Sequence, residues 1–178
     1  NPEILTKAAS NLVEEGEELA KNASFEAAVD KLKKAQQLDA NIDLNPQTEE
    51  LDNAPKVVAG KLTAPFLVHQ GKRLVMMNHE VKEAIVAYNK SLKIAPNLQI
   101  SAADWYKLCW YGSLNNHAKD VMFACEKTVA AVKSPNIGFR KGARGLARTL
   151  SGDYKGAIED FEAFVKWTDN SKEKSQRQ

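Results

Sequence analysis

Apolar and small residues recur along the chain at helical spacing and never in the strict alternation of a half-buried strand, which predicts an all-α protein. Within that pattern one motif returns: a small residue, a large one four positions on, and a third residue three beyond that. Ala28, Leu32 and Ala35 carry it first, followed by Ala84, Tyr88 and Ser91, by Val121, Cys125 and Thr128, and by Ala157, Phe161 and Phe164. Gly16 and Gly145 lie twelve residues before Ala28 and Ala157, where the helices of a hairpin need a small residue to approach closely. Gly71 lies thirteen before Ala84, so one extra residue is expected within the turn at 76–80. The segments Ala23-Ser24-Phe25, His79-Glu80-Val81, His117-Ala118 and Gly152-Asp153-Tyr154 fall where such hairpins turn.

Four helix–turn–helix copies follow, over about residues 1–42, 46–97, 101–134 and 136–169. They are expected to form one domain, 1–170, with a polar tail at 171–178. Asn45 and Ser101 fit as helix N-caps, with Pro46 at a first helical position, as Pro2 is after Asn1. The first helices of copies one and two are therefore expected to be long, and Pro55 and Pro65 are expected to kink or break the second into segments. Stacked pairs would bury Leu12, Gly16, Leu19, Ala28, Val29, Leu32 and Ala35, then Leu67, Leu74, Ala84, Ile85 and Tyr88. Trp105, Leu108, Cys125 and Val129 would form the next layer, and Ala147, Tyr154, Ala157, Phe161 and Phe164 the last.

This register, with glycine in the first helix, Gly-Asp-Tyr at a turn, alanine three residues on, and Pro96 twelve after Ala84, resembles the 34-residue tetratricopeptide repeat. Copy three opens Trp105-x-x-Leu108-Cys109, and copy four runs from Arg144-Gly145-Leu146-Ala147 to Ala157-Ile158-Glu159-Asp160-Phe161. Departures are Gly112 in place of a large residue, Arg144 and Arg148 at normally packed positions, and Ala40 in place of proline. The chain also resembles the repeat region near the C-termini of cyanobacterial multidomain proteins of the STAND signalling-NTPase and WD-repeat types. Leu108-Cys109-Trp110-Tyr111-Gly112-Ser113-Leu114, Ala124-Cys125-Glu126 and Arg144-Gly145-Leu146-Ala147-Arg148 carry that likeness. The first resemblance implies a right-handed superhelical solenoid of antiparallel pairs, with a ligand surface on the concave face made by the first helices. It also implies a salt bridge between Arg144 and Asp160.

Composition narrows the functional classes. No stretch reaches the roughly 18 uncharged apolar residues of a membrane span, and the first residues lack a signal-peptide pattern, so a cytoplasmic protein is expected. The absence of an initial methionine and the polar C-terminal tail suggest a piece of a longer chain. Two cysteines without a CxxC read as free thiols in a reducing compartment, with a disulfide improbable. Residues 1–54 carry 12 acidic against 5 basic side chains and residues 55–178 carry 11 against 20, a dipole that steers charged partners. Basic residues are interspersed with acids, which argues against nucleic acid as a partner.

No catalytic pattern emerges. Gly60-Lys61 lacks the rest of a phosphate loop, the three histidines lack metal-ligand spacing, and there is neither GxSxG nor a histidine partner for Cys109. The chain is therefore read as a non-enzymatic module without cofactor or metal, binding a protein or peptide within a larger signalling protein. Projected onto the concave face of the family, the candidate partner-binding residues are Glu14, Glu17, His69, Lys72, Tyr106, Lys107 and Trp110. Val13, Val68, Phe139, Leu146 and Leu150 complete that face. The alternative is a structural spacer or homo-oligomerisation element, marked by an apolar patch elsewhere.

Overall fold

The computed structural model describes residues 2–48, 53–131 and 137–176, with side chains described as far as residue 169. Among the described residues there are eight α-helices and no strand: α1 (Pro2–Lys21), α2 (Phe25–Leu38), α3 (Pro55–Arg73), α4 (Val81–Ile94), α5 (Ala102–Leu114), α6 (Met122–Ala130), α7 (Ile137–Ser151) and α8 (Tyr154–Gln176). The chain divides into two compact units, one holding residues 1–69 and 87–98 and the other 70–86 and 99–178. The boundary thus passes through α3 and α4. Among the described residues no helix is long and apolar enough to cross a membrane.

Each helix pair turns through one residue in the left-handed region: Ala23, His79, Asn116 and Gly152. Each lies five positions before the small residue of its copy, Ala28, Ala84, Val121 or Ala157. A left-handed residue ends a helix by satisfying its last carbonyls while reversing the chain. Backbone hydrogen bonds do this here, from Ser24 to Leu19, Glu80 to Leu74, His117 to Gly112 and Asp153 to Arg148.

In the first unit, α1 and α2 meet where Gly16 faces Leu32; a methyl group on Gly16 would stand 3.0 Å from Leu32 Cδ2. Ala9, Val13, Ala20, Ala28, Leu32, Ala35, Val58 and Ala59 close this core, with Leu12 and Leu19 partly buried against it. Burying a side chain the size of Leu32 fully contributes roughly 1.5–3 kcal/mol. The segment after α2 departs from expectation, because Asn45 caps no helix. Asp43 Oδ1 accepts its backbone N–H at 3.0 Å in a side-chain turn, Thr48 closes back on its carbonyl, and Leu44 is fully buried. Pro46 therefore lies in a turn, and Pro55, nine residues later, begins α3 where its missing N–H costs nothing. Residues 49–52, between them, lie outside the described residues, as does Asn1.

The proline at 65 does not divide α3, which is 19 residues long and continuous. Thr63, Ala64, Leu67 and Val68 are buried around it, and that packing outweighs the ~3 kcal/mol a mid-helix proline costs. The extra residue of this copy appears immediately after, as a π turn at Leu74–Asn78. A π turn is the way a helix absorbs one additional residue without losing its register.

The second unit buries Val75, Val81, Ala84, Trp105, Leu108, Val121, Ala124, Ala143, Ala147 and Ala157. Gly112 is small because Val121 takes the space, a methyl there falling 2.5 Å from Val121 Cγ1. Three expectations are corrected. Cys109 and Cys125 are not free thiols; both are fully buried and disulfide-bonded, joining α5 to α6. Tyr154 and Phe161, expected in the core, are 66% and 38% exposed, because they lie on the face of α8 turned away from α7 or at its edge. The helix itself runs on to Gln176, into the stretch read as a tail.

Ala28 and Ala157 lie at helix crossings, 0% and 3% exposed, so Ala28→Trp and Ala157→Trp should each cost about 1–3 kcal/mol by overpacking. Urea unfolding followed by circular dichroism measures this, and unchanged midpoints for both would refute the hairpin register. Alkylation of the denatured, unreduced chain should label no thiol. Replacing both cysteines with alanine should lower stability by roughly 2–4 kcal/mol, the effect of opening a loop this short.

Candidate partner-binding site

Helix α5 starts at a firm cap. Ser101 Oγ accepts the Asp104 N–H at 3.1 Å while its hydroxyl donates to Asp104 Oδ2 at 2.7 Å, a reciprocal box that sets the rotation of the helix. Trp105, Leu108 and Cys109 then point inward, and Tyr106 and Trp110, one turn apart, fall half-buried on another face. Their rings stack with centroids 6.1 Å apart and planes at 10°.

The facing wall is built from α7 and α8. Gly138, Gly142 and Gly145 form a bare strip on α7 against which Trp167, Phe164 and Phe161 of α8 lie; a methyl at Gly142 would stand 2.9 Å from Phe164 Cδ2. Phe139 stacks on Tyr106 at 4.9 Å and meets Trp167 at 5.8 Å, and Trp167 in turn stacks on Phe164 at 5.8 Å. Tyr106, Trp110, Phe139, Ala143, Leu146 and Phe164 line a cleft of about 340 Å³ with almost wholly apolar walls.

Arg140 packs against the Tyr106 ring. Its guanidinium lies 5.5 Å from the Tyr106 ring centre, and Nη1 donates to the Ala102 carbonyl at 2.6 Å and to Thr128 Oγ1 at 3.0 Å. One side chain thus ties the start of α7 to α5 and α6. Burial pushes the Tyr106 phenol above the ordinary tyrosine range, with Arg140 pulling the other way and Tyr111 adding slightly to the rise.

Arg144 and Arg148 explain their own departure from a packed pattern. Asp160, 1% exposed, accepts from Arg144 Nε and Nη2 at 2.7 Å each and from Arg148 Nη1 at 3.0 Å. Glu126 takes the outer nitrogens of both arginines at 2.5 and 3.3 Å. The expected Arg144–Asp160 bridge is present as a bidentate fork, and the Asp160 hydrogen bonds raise the Arg144 pKa. This is a clamp holding α6, α7 and α8, built from charges that are buried only because they are paired.

The candidate residues divide between the units. In the first, Glu14 and His69 are exposed, while Glu17 is buried and accepts from Gln47 at 2.9 Å with Lys21 at 3.9 Å. In the second, Tyr106 and Trp110 come together, Lys107 is half-buried beside them in sequence, and Lys72 is drawn into an ion pair with Asp104 at 3.3 Å. Phe164 lines the cleft, and Trp167 and Arg140 pack against rings that line it; none of the three belongs to the projected face. Their signal was present in the spacing of Gly138, Gly142 and Gly145 on one helix and of Phe161, Phe164 and Trp167 on the next. Among the described residues no group of three or more His, Cys, Asp and Glu is arranged to hold a metal ion. Compared with protein-family models, curated proteins and solved structures, the chain matches none.

Tyr106 should ionise above the ordinary tyrosine range, and Arg140→Met should move it further up, as followed by ultraviolet difference titration or ring NMR. The sign for stability follows: the unfolded chain loses this proton first, so the stabilisation is complete below the ordinary value and declines as pH rises past it. Asp160→Ala should cost about 3 kcal/mol in urea unfolding by leaving two arginines uncompensated.

Proposed function

We propose that this chain is a tetratricopeptide-type protein-recognition module that captures a polypeptide partner by inserting an apolar side chain into the aromatic cleft of its second unit. The observation that carries the reading is the cleft itself. Five aromatic side chains and Leu146 line a volume that fits one large side chain, on the helix face where the resemblance places ligand contacts. The equal placement of the left-handed residue in all four pairs supports the repeat assignment and, with it, a solenoid. Aromatic residues around a desolvated pocket supply most of the energy at protein interfaces.

Arg140 adds direction. Among the described residues no carboxylate pairs with it, and Lys107 is the neighbour of Tyr106 in sequence, so a ligand with an acidic residue beside its apolar anchor is favoured. A sensor or docking role within a larger signalling protein is the setting that the resemblance implies. A cytoplasmic location had drawn support from free thiols, and the Cys109–Cys125 disulfide removes that support.

Selection of binders from a random peptide library on the purified chain should enrich aromatic or large aliphatic anchors with acidic neighbours. Tyr106→Ala or Trp110→Ala should then weaken a selected peptide by roughly 2 kcal/mol, about thirty-fold, with helix content unchanged. Equal binding by the double variant would overturn the cleft as the site.

A further inference from the structure

One face of α8 carries a row of apolar side chains that the described residues leave largely exposed, with the Phe161 ring alone reaching Gly145 of α7. Tyr154, Ile158 and Val165 are 66%, 59% and 55% exposed, and Phe161 is 38% exposed between them. These positions are spaced four, three and four, so they form one stripe along the helix. Ile158, Phe161 and Val165 line a shallow apolar depression edged by Glu162, Lys166 and Asp169. Isolated exposed apolar residues are ordinary, but a continuous stripe along several turns marks an interaction surface.

We propose that this stripe is a self-association surface, on which α8 pairs antiparallel with α8 of a second copy. The spacing four–three–four reads the same in both directions. Reversing one helix about a two-fold axis between residues 159 and 160 sets Ile158 against the copy's Phe161 and Tyr154 against its Val165. The charges along one flank obey the same symmetry. Lys155 and Glu162 lie on the same side of the stripe, seven residues apart, with their midpoint one residue from that axis. In the antiparallel pair each Lys155 therefore lies beside the copy's Glu162, twice over. In a parallel pair this flank would face the opposite flank of the copy, where Ala157 and Phe164 stand, and the lysine and glutamate would gain no partner, so the charges favour the antiparallel form. The stripe is only about three turns long, a small surface of the kind that supports transient association. This surface is independent of the aromatic cleft, apart from Phe161, which borders both.

Sedimentation equilibrium of the full 178-residue chain over a concentration series tests it. A reversible monomer–dimer equilibrium is expected. Ile158→Glu with Val165→Glu, at positions that do not line the cleft, should raise the dissociation constant on the order of a hundred-fold, with the circular dichroism of the parent. Lys155→Glu should weaken association roughly five-fold, and Lys155→Glu with Glu162→Lys should restore it. A single monomeric species at millimolar concentration would overturn the proposal, as would a dimer indifferent to the Ile158 and Val165 changes. Failure of the charge exchange to restore association would overturn the antiparallel register.

Discussion

The structure rests on one distance along the chain. In three of the helix pairs, a close contact joins residues sixteen positions apart: Gly16 with Leu32, Cys109 with Cys125, and Gly145 with Phe161. Two antiparallel helices joined by a tight left-handed turn of fixed length bring equivalent positions together in each pair, and the turn residue stands at the same place in each. Once that contact is set, the neighbouring positions are set with it. One residue earlier in each helix, Glu15 pairs with Lys31 in the first hairpin and Arg144 with Asp160 in the last, the same geometry with the charges exchanged. The second pair is one residue longer in sequence, and a π turn takes up the difference before the helix ends.

Because the separation is a matter of helix geometry, most of the fold could be read from the residues. Glycine opposite a large apolar residue at a fixed interval is legible wherever it recurs, and so was the bridge from Arg144 to Asp160. Ser101 was legible as a cap because its partner, Asp104, follows at the third position of the helix. Asn45 looked equivalent and was not. Asp43 stands two residues before it and offers an oxygen to its N–H, which closes a turn locally and competes with helix initiation.

The disulfide was legible in the same register and was missed by reasoning from compartment. Cys109 occupies the place of Gly16 and Gly145, and Cys125 the place of Leu32 and Phe161, so the repeat itself brought the two sulfurs together. Half of the cleft could be projected from the first helices of the pairs. The other half could not, because Phe161 and Phe164 belong to a second helix, and only the glycine strip on α7 draws α8 near enough for its rings to reach. Tyr154 was misread for the opposite reason. Apolar periodicity states which face of a helix wants cover, and α8 has such residues on more of its circumference than α7 occupies.

These attachments determine how rigid the cleft is. Tyr106 and Trp110 stand on α5, which the Cys109–Cys125 bond fixes to α6. Phe139 and Leu146 stand on α7 with Phe164 on α8, a wall held by the bidentate Arg144–Asp160 pair and by Arg148. Each wall is therefore braced internally by bonds that would cost several kcal/mol to break. The relation between the walls depends on lighter ties: the Tyr106–Phe139 stack, the Arg144–Glu126 contact at the surface, and Arg140 reaching from α7 to the Ala102 carbonyl and Thr128 hydroxyl. A ligand side chain entering the cleft meets rings already in place, which spares the ordering entropy that flexible sites lose on binding. Adjustment to ligands of different size would fall on the ties between the walls, and Arg140 is the residue through which binding at Tyr106 would be felt at the start of α5.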